Sequence, residues 1–557
     1  MKIKSLFFIL CLSVATIVAF AQTPVIRWQK TIGGNYNDSL VSIIPTYDNG
    51  FIISGHSNSN ISGNKTENSL GTYDYWVVKI NGQGKIEWNK TLGGAGVDRD
   101  PVIIQTGDGG YVVAGTSISN ISGNKTENAI NGSDDYWVVK IDSKGTVLWD
   151  NTIGAVQKEE LVSVIEDPIE RTLRVAGNSY TNYANFDKTI NNRGSSLWSD
   201  YWFVKLDGKG KVLSDNLFGG GNEDILTAMR PAKDSGYILG GYSYSQGEND
   251  KTDTFIGNCD YWIVRIDANG NRKWDKTIGG INSDYETDVQ QTFDRGFILG
   301  GYSNSPISFN KTETRKGVLD YWIVKTDSNG VVKWDKTYGG TKGDYLSSIA
   351  QTADSGYIMG GTSNSDISSD KSENSKGLED YWIVKLDATG KIVWDKTYGG
   401  SRVDRLSVIK EISRDEYIIG GTSNSPVSGD KTEKSVGGKA FNDYWIIRMS
   451  TAKNAKPDKP TSSSSNAVAA NTLNINKLSM QASPNPTKGL ITVTYSASGS
   501  KDISLAVYGN NGKTVLNRDL PSNESTYNLD ISQQPAGVYY VVLTSDKSTV
   551  TRVVVKD

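Results

Sequence analysis

The chain has 557 residues, and its 59 lysines and arginines nearly balance its 62 aspartates and glutamates, giving a formal net charge of −3. This charge balance shows no basic excess and argues against a nucleic-acid partner. One histidine and two cysteines exclude a zinc site built from several histidines and cysteines, and they also exclude a disulfide framework.

The first 21 residues predict a secretory signal peptide. Two lysines precede an apolar run that ends in Ala19-Phe20-Ala21, so we expect cleavage before Gln22. Cys11 lies within this run, which leaves Cys259 as the one cysteine of the mature chain and allows no intrachain disulfide. No later segment approaches the roughly 20 apolar residues of a transmembrane helix.

Residues 22–450 repeat one unit seven times. Each unit contains the tripeptide Asp-Tyr-Trp, whose aspartates are Asp74, Asp135, Asp200, Asp260, Asp320, Asp380 and Asp443. Four short segments rich in β-branched and aromatic residues alternate with turn residues, so each unit predicts a four-stranded antiparallel sheet. In the sixth unit the four predicted strands, a to d, are 346–352, 357–363, 381–386 and 391–397.

The arrangement of these sheets follows from the third strand and from the chain ends. Strand c is apolar at consecutive positions ("YWIVK"), which favours a sheet covered on both faces, as in stacked propeller blades. The seventh unit ends at its strand c, and Val25–Gly34 has the pattern of the missing strand d. The predicted fold class is therefore all-β: a seven-bladed β-propeller closed by the N-terminal strand, plus a small C-terminal β-sandwich.

Two phrases of the sixth unit resemble known propeller repeats. The segment "LDATGKIVW" ending at Trp394 is similar to the tryptophan-docking repeat of the quinoprotein-like propellers, and "DSGYIMGGTS" resembles the delta-60 type of bacterial repeat. The resemblance spans about residues 25–450 and concerns the fold alone. It implies that the strand-d tryptophans pack on the neighbouring blade; these are Trp28, Trp88, Trp149, Trp274, Trp334 and Trp394.

Acidic residues recur in every unit on the face that carries the long b–c loops. One set is the aspartate of Asp-Tyr-Trp, and a second precedes strand a: Asp38, Asp98, Glu159, Asp224, Asp284, Asp344 and Asp404. A feature present seven times is first expected to join blades by satisfying backbone groups. A repeated calcium or glycan site is the alternative, and no other cofactor is expected.

Departures from the repeat predict a ligand-binding surface. Trp198 is the one tryptophan outside Asp-Tyr-Trp and strand d, and the same unit has Ser214 in place of the docking tryptophan. The loops of units three and four add the candidate ligand-binding residues Tyr180, Tyr183, Phe186, Tyr242, Tyr244 and Phe255. Exposed aromatic side chains suit sugar rings or peptide. The alternative is that Trp198 fills space locally.

Catalytic residues are not predicted. His56 is the one histidine and ends strand b of the first unit, so a Ser-His-Asp triad would have to be built on it. No G-x-S-x-G elbow accompanies it, and a surface histidine is the simpler interpretation.

The C-terminal part predicts a linker and a sorting domain. From Thr451 the composition changes to Lys, Pro, Ser and Asn, which indicates a flexible linker over 451–480. Residues 481–557 resemble the type A C-terminal sorting domain of the type IX secretion system of Gram-negative bacteria. The residues that carry the match are Pro484, Asn485, Pro486, Gly537 and Lys556. The resemblance implies export across the outer membrane, followed by release or attachment to surface polysaccharide.

Together these features predict a secreted or cell-surface, non-catalytic propeller that binds polysaccharide or protein. The alternative is an extracellular carbohydrate-active hydrolase or lyase, which needs two carboxyl groups about 5–9.5 Å apart in one pocket. A quinone cofactor would require a planar apolar slot with cations near the axis. The expected partners are the type IX secretion machinery and a surface polysaccharide or extracellular protein.

Overall fold

The computed structural model describes residues 23–195, 198–451, 478–483, 487–497, 503–509, 514–521, 526–545 and 549–556. The chain divides into two compact units at residues 459 and 460. Within the described ranges the helices are two short 3₁₀ turns, Ile130–Gly132 and Gly438–Ala440. No helix of those ranges is long and apolar enough to cross a membrane. The predicted signal peptide and most of the predicted linker lie outside the described residues.

The described part of the first unit contains seven four-stranded antiparallel sheets, here called blades 1 to 7. Blade 1 consists of β2 (Asp38–Pro45), β3 (Phe51–Ser57), β4 (Asp74–Ile80) and β5 (Ile86–Leu92). Blade 2 consists of β6 (Asp98–Gln105), β7 (Tyr111–Ser117), β8 (Asp135–Ile141) and β9 (Val147–Ile153). Blade 3 consists of β10 (Glu159–Glu166), β11 (Leu173–Ser179), β12 (Asp200–Leu206) and β13 (Val212–Phe218). Blade 4 consists of β14 (Asp224–Pro231), β15 (Tyr237–Ser243), β16 (Asp260–Ile266) and β17 (Arg272–Ile278). Blade 5 consists of β18 (Asp284–Gln291), β19 (Phe297–Ser303), β20 (Asp320–Thr326) and β21 (Val332–Tyr338). Blade 6 consists of β22 (Asp344–Gln351), β23 (Tyr357–Ser363), β24 (Asp380–Leu386) and β25 (Ile392–Tyr398).

Blade 7 is assembled from both ends of the repeat region. It consists of β26 (Asp404–Ser413), β27 (Glu416–Ser423), β28 (Asp443–Ser450) and the N-terminal β1 (Val25–Ile32). Strand β1 pairs with β28 in antiparallel register, from Val25 opposite Ser450 to Ile32 opposite Tyr444. This pairing confirms the predicted closure by the N-terminal strand.

The blades form a complete ring. The first strand of each blade contacts the first strand of the next, and β26 of blade 7 contacts β2 of blade 1. The fold is therefore a seven-bladed β-propeller in which the first strands line the centre. In blade 6, strand b has the predicted bounds, whereas strand a begins two residues earlier than predicted because Asp344 pairs with Ser363.

The Asp-Tyr-Trp motif recurs because its rings join each blade to the next. Each tyrosine ring lies against the tryptophan of the following blade, with centroids 4.8 to 5.1 Å apart. The Tyr261 hydroxyl, for example, donates to the Trp322 carbonyl at 2.9 Å. A Cβ on Gly301 would lie only 2.6 Å from that hydroxyl, so strand b needs glycine at this position. Such aromatic contacts contribute about 0.5–1.5 kcal/mol beyond the area they bury.

The C-terminal unit is a small β-sandwich, as predicted. Strands β29 (Leu478–Ser483), β30 (Leu490–Ala497) and β33 (Thr526–Asp530) form one sheet, while β31 (Ile503–Gly509), β32 (Thr514–Leu520), β34 (Gly537–Ser545) and β35 (Thr549–Lys556) form the other. Alternate side chains of both sheets share one core, including Val493, Leu505 and Val541. Gly537 opens β34 directly opposite Lys556 of β35, whereas Pro484, Asn485 and Pro486 lie outside the described residues.

Candidate functional site

One end of every blade carries the long b–c loops. In blade 5, Asp284 at the start of strand a lies opposite Ser303 at the end of strand b, which lies opposite Asp320 at the start of strand c. The b–c loop and the connection from the preceding blade therefore leave from this end, here called the long-loop face. The a–b hairpins and c–d turns lie at the other end, here called the hairpin face.

The acidic residues that open strand a hold the connection from the preceding blade. The Asp284 carboxylate accepts the Gly280 N–H at 2.7 Å and the Ser305 hydroxyl at 3.0 Å. Burial raises the pKa of Asp284 to about 6, against the opposing effect of these bonds. The same backbone bond recurs in the other blades, at Asp38, Asp98, Glu159, Asp224, Asp344 and Asp404. Each of these carboxylates is thus engaged by its own turn.

The aspartates of Asp-Tyr-Trp hold the end of the b–c loop. Asp320 accepts the N–H groups of Lys316 at 2.6 Å and Gly317 at 3.1 Å. Equivalent bonds reach the other six, Asp74, Asp135, Asp200, Asp260, Asp380 and Asp443. Among the described residues, no group of three or more His, Cys, Asp or Glu side chains could hold a metal ion.

The strand-d tryptophans lie against the next blade, where the resemblance to docking repeats places them. Trp334 of blade 5 contacts Tyr357 of blade 6 edge to face, with centroids 5.8 Å apart. Trp28, Trp88, Trp274 and Trp394 make the same contact with an aromatic residue that opens strand b. Trp149 packs in the apolar cluster that contains Leu173 of blade 3.

The centre of the long-loop face breaks the sevenfold pattern. There the second residue of strand a faces the sixth residue of strand b, and both positions vary among blades. In blades 4 to 6 five tyrosines form a contiguous group, here called the tyrosine array: Tyr242, Tyr244, Tyr285, Tyr302 and Tyr345. Ring centroids are 5.2 Å apart for Tyr242 and Tyr285, 5.2 Å for Tyr285 and Tyr302, and 5.4 Å for Tyr302 and Tyr345. Burial raises the pKa of Tyr302, so its hydroxyl stays protonated at physiological pH.

On the opposite side of the ring, blades 1 to 3 carry a charged cluster. It consists of His56, Arg99, Asp100, Asp134, Lys158, Glu160 and Tyr180. The Arg99 guanidinium contacts Asp134 at 3.0 Å and Glu160 at 3.1 Å through one nitrogen, Nη2. The Lys158 ammonium lies 2.9 Å from Glu160 and 4.9 Å from the Tyr180 ring centroid.

Asp100 is the residue of this cluster with an unusual backbone conformation. Its φ of 56° is in the left-handed region, which favours glycine. Its carboxylate lies 3.0 Å from Arg99 Nη1 and 3.4 Å from His56 Nδ1. Burial alone would raise the pKa of Asp100, but hydrogen bonds and charge from His56 and Arg99 lower it overall. Strained residues of this kind concentrate at functional sites.

His56 does not form a triad in the described residues. Its ring contacts Asp100 and lies edge-on to Tyr73, with centroids 5.4 Å apart. No hydroxyl of the described chain bonds to it.

The structure separates the predicted aromatic residues into three places. Tyr242 and Tyr244 belong to the tyrosine array and Tyr180 to the charged cluster, and all three are half-buried rather than exposed. Tyr183, Phe186 and Phe255 are exposed on b–c loops. Trp198 is 38% exposed and makes no ring contact with another described residue.

Sequence reasoning missed four aromatic residues. Tyr285, Tyr302 and Tyr345 complete the array, and a column-by-column comparison of strands a and b among the units would have shown them. Phe309 is 71% exposed at φ 48°, and Phe186 shares this conformation at φ 49°. The other loops have smaller residues at the equivalent position: Gly63, Gly123, Asn249, Ser369 and Gly429. A bulky residue at positive φ is an outlier that points to a role outside folding.

The comparisons with known proteins concern the tail and the fold. Residues 482–557 match the family of secretion system C-terminal sorting domains, which confirms that the chain carries such a domain. A tail of this family indicates export by a type IX secretion system to the cell surface or the extracellular space. No curated protein matches the chain.

Three solved structures that align with most of this chain are distant from it in sequence. The quinohemoprotein alcohol dehydrogenase from Comamonas testosteroni is 10% identical, with 83% of this chain and 80% of that chain covered and a TM-score of 0.37. Puromycin hydrolase is 10% identical, with 86% and 62% covered and a TM-score of 0.42. A member of the DUF4221 family from Bacteroides vulgatus is 10% identical, with 78% and 100% covered and a TM-score of 0.32. Such similarities say nothing about activity.

Proposed function

We propose that the chain is a secreted or cell-surface propeller that binds polysaccharide at the centre of its long-loop face and performs no catalysis. The observation that carries the proposal is the tyrosine array, whose rings run in unbroken contact from Tyr242 to Tyr345 across three blades. Tyrosine combines an apolar face with a hydroxyl, so neighbouring rings suit successive sugar residues of one chain.

The charged cluster supports the same function. Its ion-paired side chains present carboxylate acceptors and guanidinium or ammonium donors, which are the groups that bind sugar hydroxyls. The charged cluster makes this face polar in blades 1 to 3, and the tyrosine array makes it aromatic in blades 4 to 6. A ligand without sevenfold symmetry needs such asymmetry to bind in one orientation.

The hydrolase alternative finds less support in this geometry. Asp134 and Glu160 are the carboxylates to consider as a glycosidase pair, since both contact Arg99 Nη2. Both are ion-paired with this guanidinium, which would have to move away before a glycosidic bond could lie between them. The arrangement therefore favours binding over hydrolysis.

Export completes the proposal. Residues 1–21 act as the signal peptide, 22–450 as the binding propeller, 451–480 as a linker and 481–557 as a type A tail. The tail is recognised by the type IX secretion machinery, and its removal leaves the propeller released or attached to surface polysaccharide.

Affinity electrophoresis of the full mature chain in gels containing neutral polysaccharides tests this function. Tyr302→Ala combined with Tyr345→Ala should reduce retention at least about tenfold, since aromatic contacts contribute about 0.5–1.5 kcal/mol each beyond their area. Trp198→Ala separately measures the contribution of the predicted loop surface.

Tyr47→Ala is the matched control, because Tyr47 is 72% exposed on the hairpin face, away from the array. It should leave retention unchanged. Equal loss in the control and the array variants would contradict the proposal. So would failure of the wild type to bind any polysaccharide while binding an extracellular protein.

A further inference from the structure

A second concave site lies on the hairpin face, between blades 4 and 5. It is a cavity of about 280 Å³ lined by the blade 4 hairpin, the blade 5 hairpin and the blade 5 c–d turn. Its lining residues are Lys233, Asp234, Arg265, Gln291, Arg295, Phe297 and Ser328. Three of these carry positive charge and one carries negative charge, in a chain whose overall charge is negative.

The single carboxylate of this cleft is already neutralised. Asp234 forms one ion pair with the buried Arg265 and a second with Lys273, whose ammonium lies 2.9 Å away. Burial would raise the pKa of Asp234, but these partners lower it overall and keep the group ionised. Asp234 therefore supplies no charge to balance the other two cations of the cleft.

Those two cations, Lys233 and Arg295, have no acidic partner in the described chain. The Lys233 ammonium donates to the Phe293 carbonyl at 3.1 Å and lies 5.6 Å from the centroid of the Phe293 ring. The backbone of Arg295 is held by the turn, since its N–H donates to the Thr292 carbonyl at 3.0 Å and its carbonyl accepts from Gln291. The Arg295 guanidinium has no bonded partner among the described residues, and the turn holds the backbone from which its side chain extends.

The pairing of these cations is particular to this boundary between blades. At the position of Lys233, other hairpins carry Tyr47, Gly107, Phe293, Ala353 and Ser413. At the position of Arg295, they carry Asn49, Gly109, Ser235, Ser355 and Asp415. Folding of the blade therefore requires neither cation, because the same hairpin forms without them.

We propose that this cleft is a binding site for the carboxylate of an acidic sugar residue, such as a uronate within a polysaccharide. It lies on the opposite face from the tyrosine array and is a separate site. The forked guanidinium of Arg295 matches a carboxylate bidentately, and Lys233 adds a point charge. The volume falls just below the roughly 300–1,000 Å³ of pockets for drug-sized ligands, so it suits one sugar residue rather than several. The Gln291 amide links the two hairpins, since it accepts the Lys233 N–H at 2.7 Å and donates to the Arg295 carbonyl at 3.2 Å, while Ser328 offers a hydroxyl for the sugar ring.

Retention of the full mature chain in native gels containing polygalacturonate tests the cleft. Arg295→Ser installs the residue of blades 4 and 6, and Lys233→Ala installs the residue of blade 6, so both variants keep a hairpin that the fold accepts. Each should weaken retention about tenfold, as expected for loss of a charged hydrogen bond. Neutral dextran should not retain the protein through this cleft.

Arg414→Ser is the matched control, because it removes the same charge from the exposed hairpin of blade 7 on the same face. It should leave retention unchanged. Equal weakening by Arg414→Ser would show unspecific attraction between charges and would overturn the proposal. Competition separates the possible sources of the anion: free galacturonate should compete better than inorganic phosphate or dextran sulfate, and the reverse order would refute the sugar assignment.

Discussion

A buried carboxyl group makes the propeller sensitive to pH at the scale of single residues. Glu286 is the third residue of β18, a position that is leucine in the neighbouring blades, at Leu226 and Leu346. It is fully buried; its Oε2 accepts the Thr227 hydroxyl at 2.5 Å, and its Oε1 has no described partner. Burial raises the pKa of Glu286 to about 8. The fold therefore holds this side chain mostly as the neutral acid at pH 7.

Glu286→Gln should flatten the dependence of stability on pH. A group whose pKa is raised on folding stabilises the fold fully below its unfolded pKa, about 4.3, and that stability is lost as the pH rises through about 8. The free energy of unfolding of the wild type, measured in urea, should thus fall between pH 6 and pH 9, and fall less in the variant. Asp135 and Glu159, whose pKa values burial raises to about 8 and about 7, leave a remaining slope.

Glu248→Gln serves as the control, since Glu248 is exposed on a b–c loop. It should keep the slope of the wild type. Identical slopes for the wild type and Glu286→Gln would contradict the assignment of a raised pKa to Glu286.

At the scale of residues, the sequence predicted the repeated roles better than the unique ones. The tryptophans of Asp-Tyr-Trp and of strand d were expected at contacts between blades because the units repeat them, and the repeated aspartates were expected to satisfy backbone groups, as Asp320 does for its own loop. Tyr285 and Tyr302 face each other on strands a and b of blade 5, and packing of blade 6 against blade 5 brings Tyr345 beside them. Trp198 was predicted to bind a ligand because it is the one tryptophan outside Asp-Tyr-Trp and strand d. The tyrosines of the array were missed because most of them occupy regular positions of strands a and b.

At the scale of elements, one carboxylate ties three parts of each blade together. Asp335 of β21 accepts the indole N–H of Trp322 at 2.9 Å, and it accepts the N–H and hydroxyl of Thr312 at 3.0 and 2.5 Å. It thus joins strand c, strand d and the b–c loop. The adjacent Lys311 is buried, with its ammonium 5.4 Å from the centroid of the Trp322 ring.

Asp335→Ala should destabilise the propeller by about 2–4 kcal/mol, because it leaves several buried donors without an acceptor. Asp335→Asn should cost far less, since Asn89 fills this position in blade 1 and accepts the Trp76 indole N–H at 3.1 Å. Urea denaturation of both variants measures the difference. Similar losses for alanine and asparagine would show that the carboxylate charge, rather than the acceptor, matters.

The strands themselves were predictable and their loops were not. Alternation of apolar segments with Asp-Ser-Gly and Asp-Ala-Thr-Gly turns placed the strands of blade 6 within two residues of their observed ends. The b–c loop gains its shape from groups on strands c and d, such as Asp320 and Asp335. Asp335 lies 23 residues from its loop partner Thr312, so the local sequence pattern gives no sign of that bond.

At the scale of the whole molecule, a single pair of strands closes the ring. A disulfide between Val25→Cys and Ser450→Cys would join β1 to β28, because these residues face each other in register. Closing so long a loop should raise the free energy of unfolding by about 2–4 kcal/mol. Cys259 is buried and would not compete.

Guanidinium denaturation with and without a reducing agent measures this effect. The oxidised double variant should gain stability, while the reduced form and the single Val25→Cys variant should match the wild type. No gain on oxidation would mean that separation of β1 from β28 is not an early step of unfolding.

The pairing of β1 with β28 also affects how the propeller resists a mechanical force applied to the chain. In blade 7 the outermost strand is β1, so the strand that leads toward the tail, β28, is bonded to a neighbour on each side. A force applied from the C-terminal side of β28 must therefore break the hydrogen bonds of two antiparallel strand pairs. If β28 were an edge strand, the same force would break the bonds of only one pair. A propeller closed in this way resists such a force better than a ring whose last strand lay at the rim.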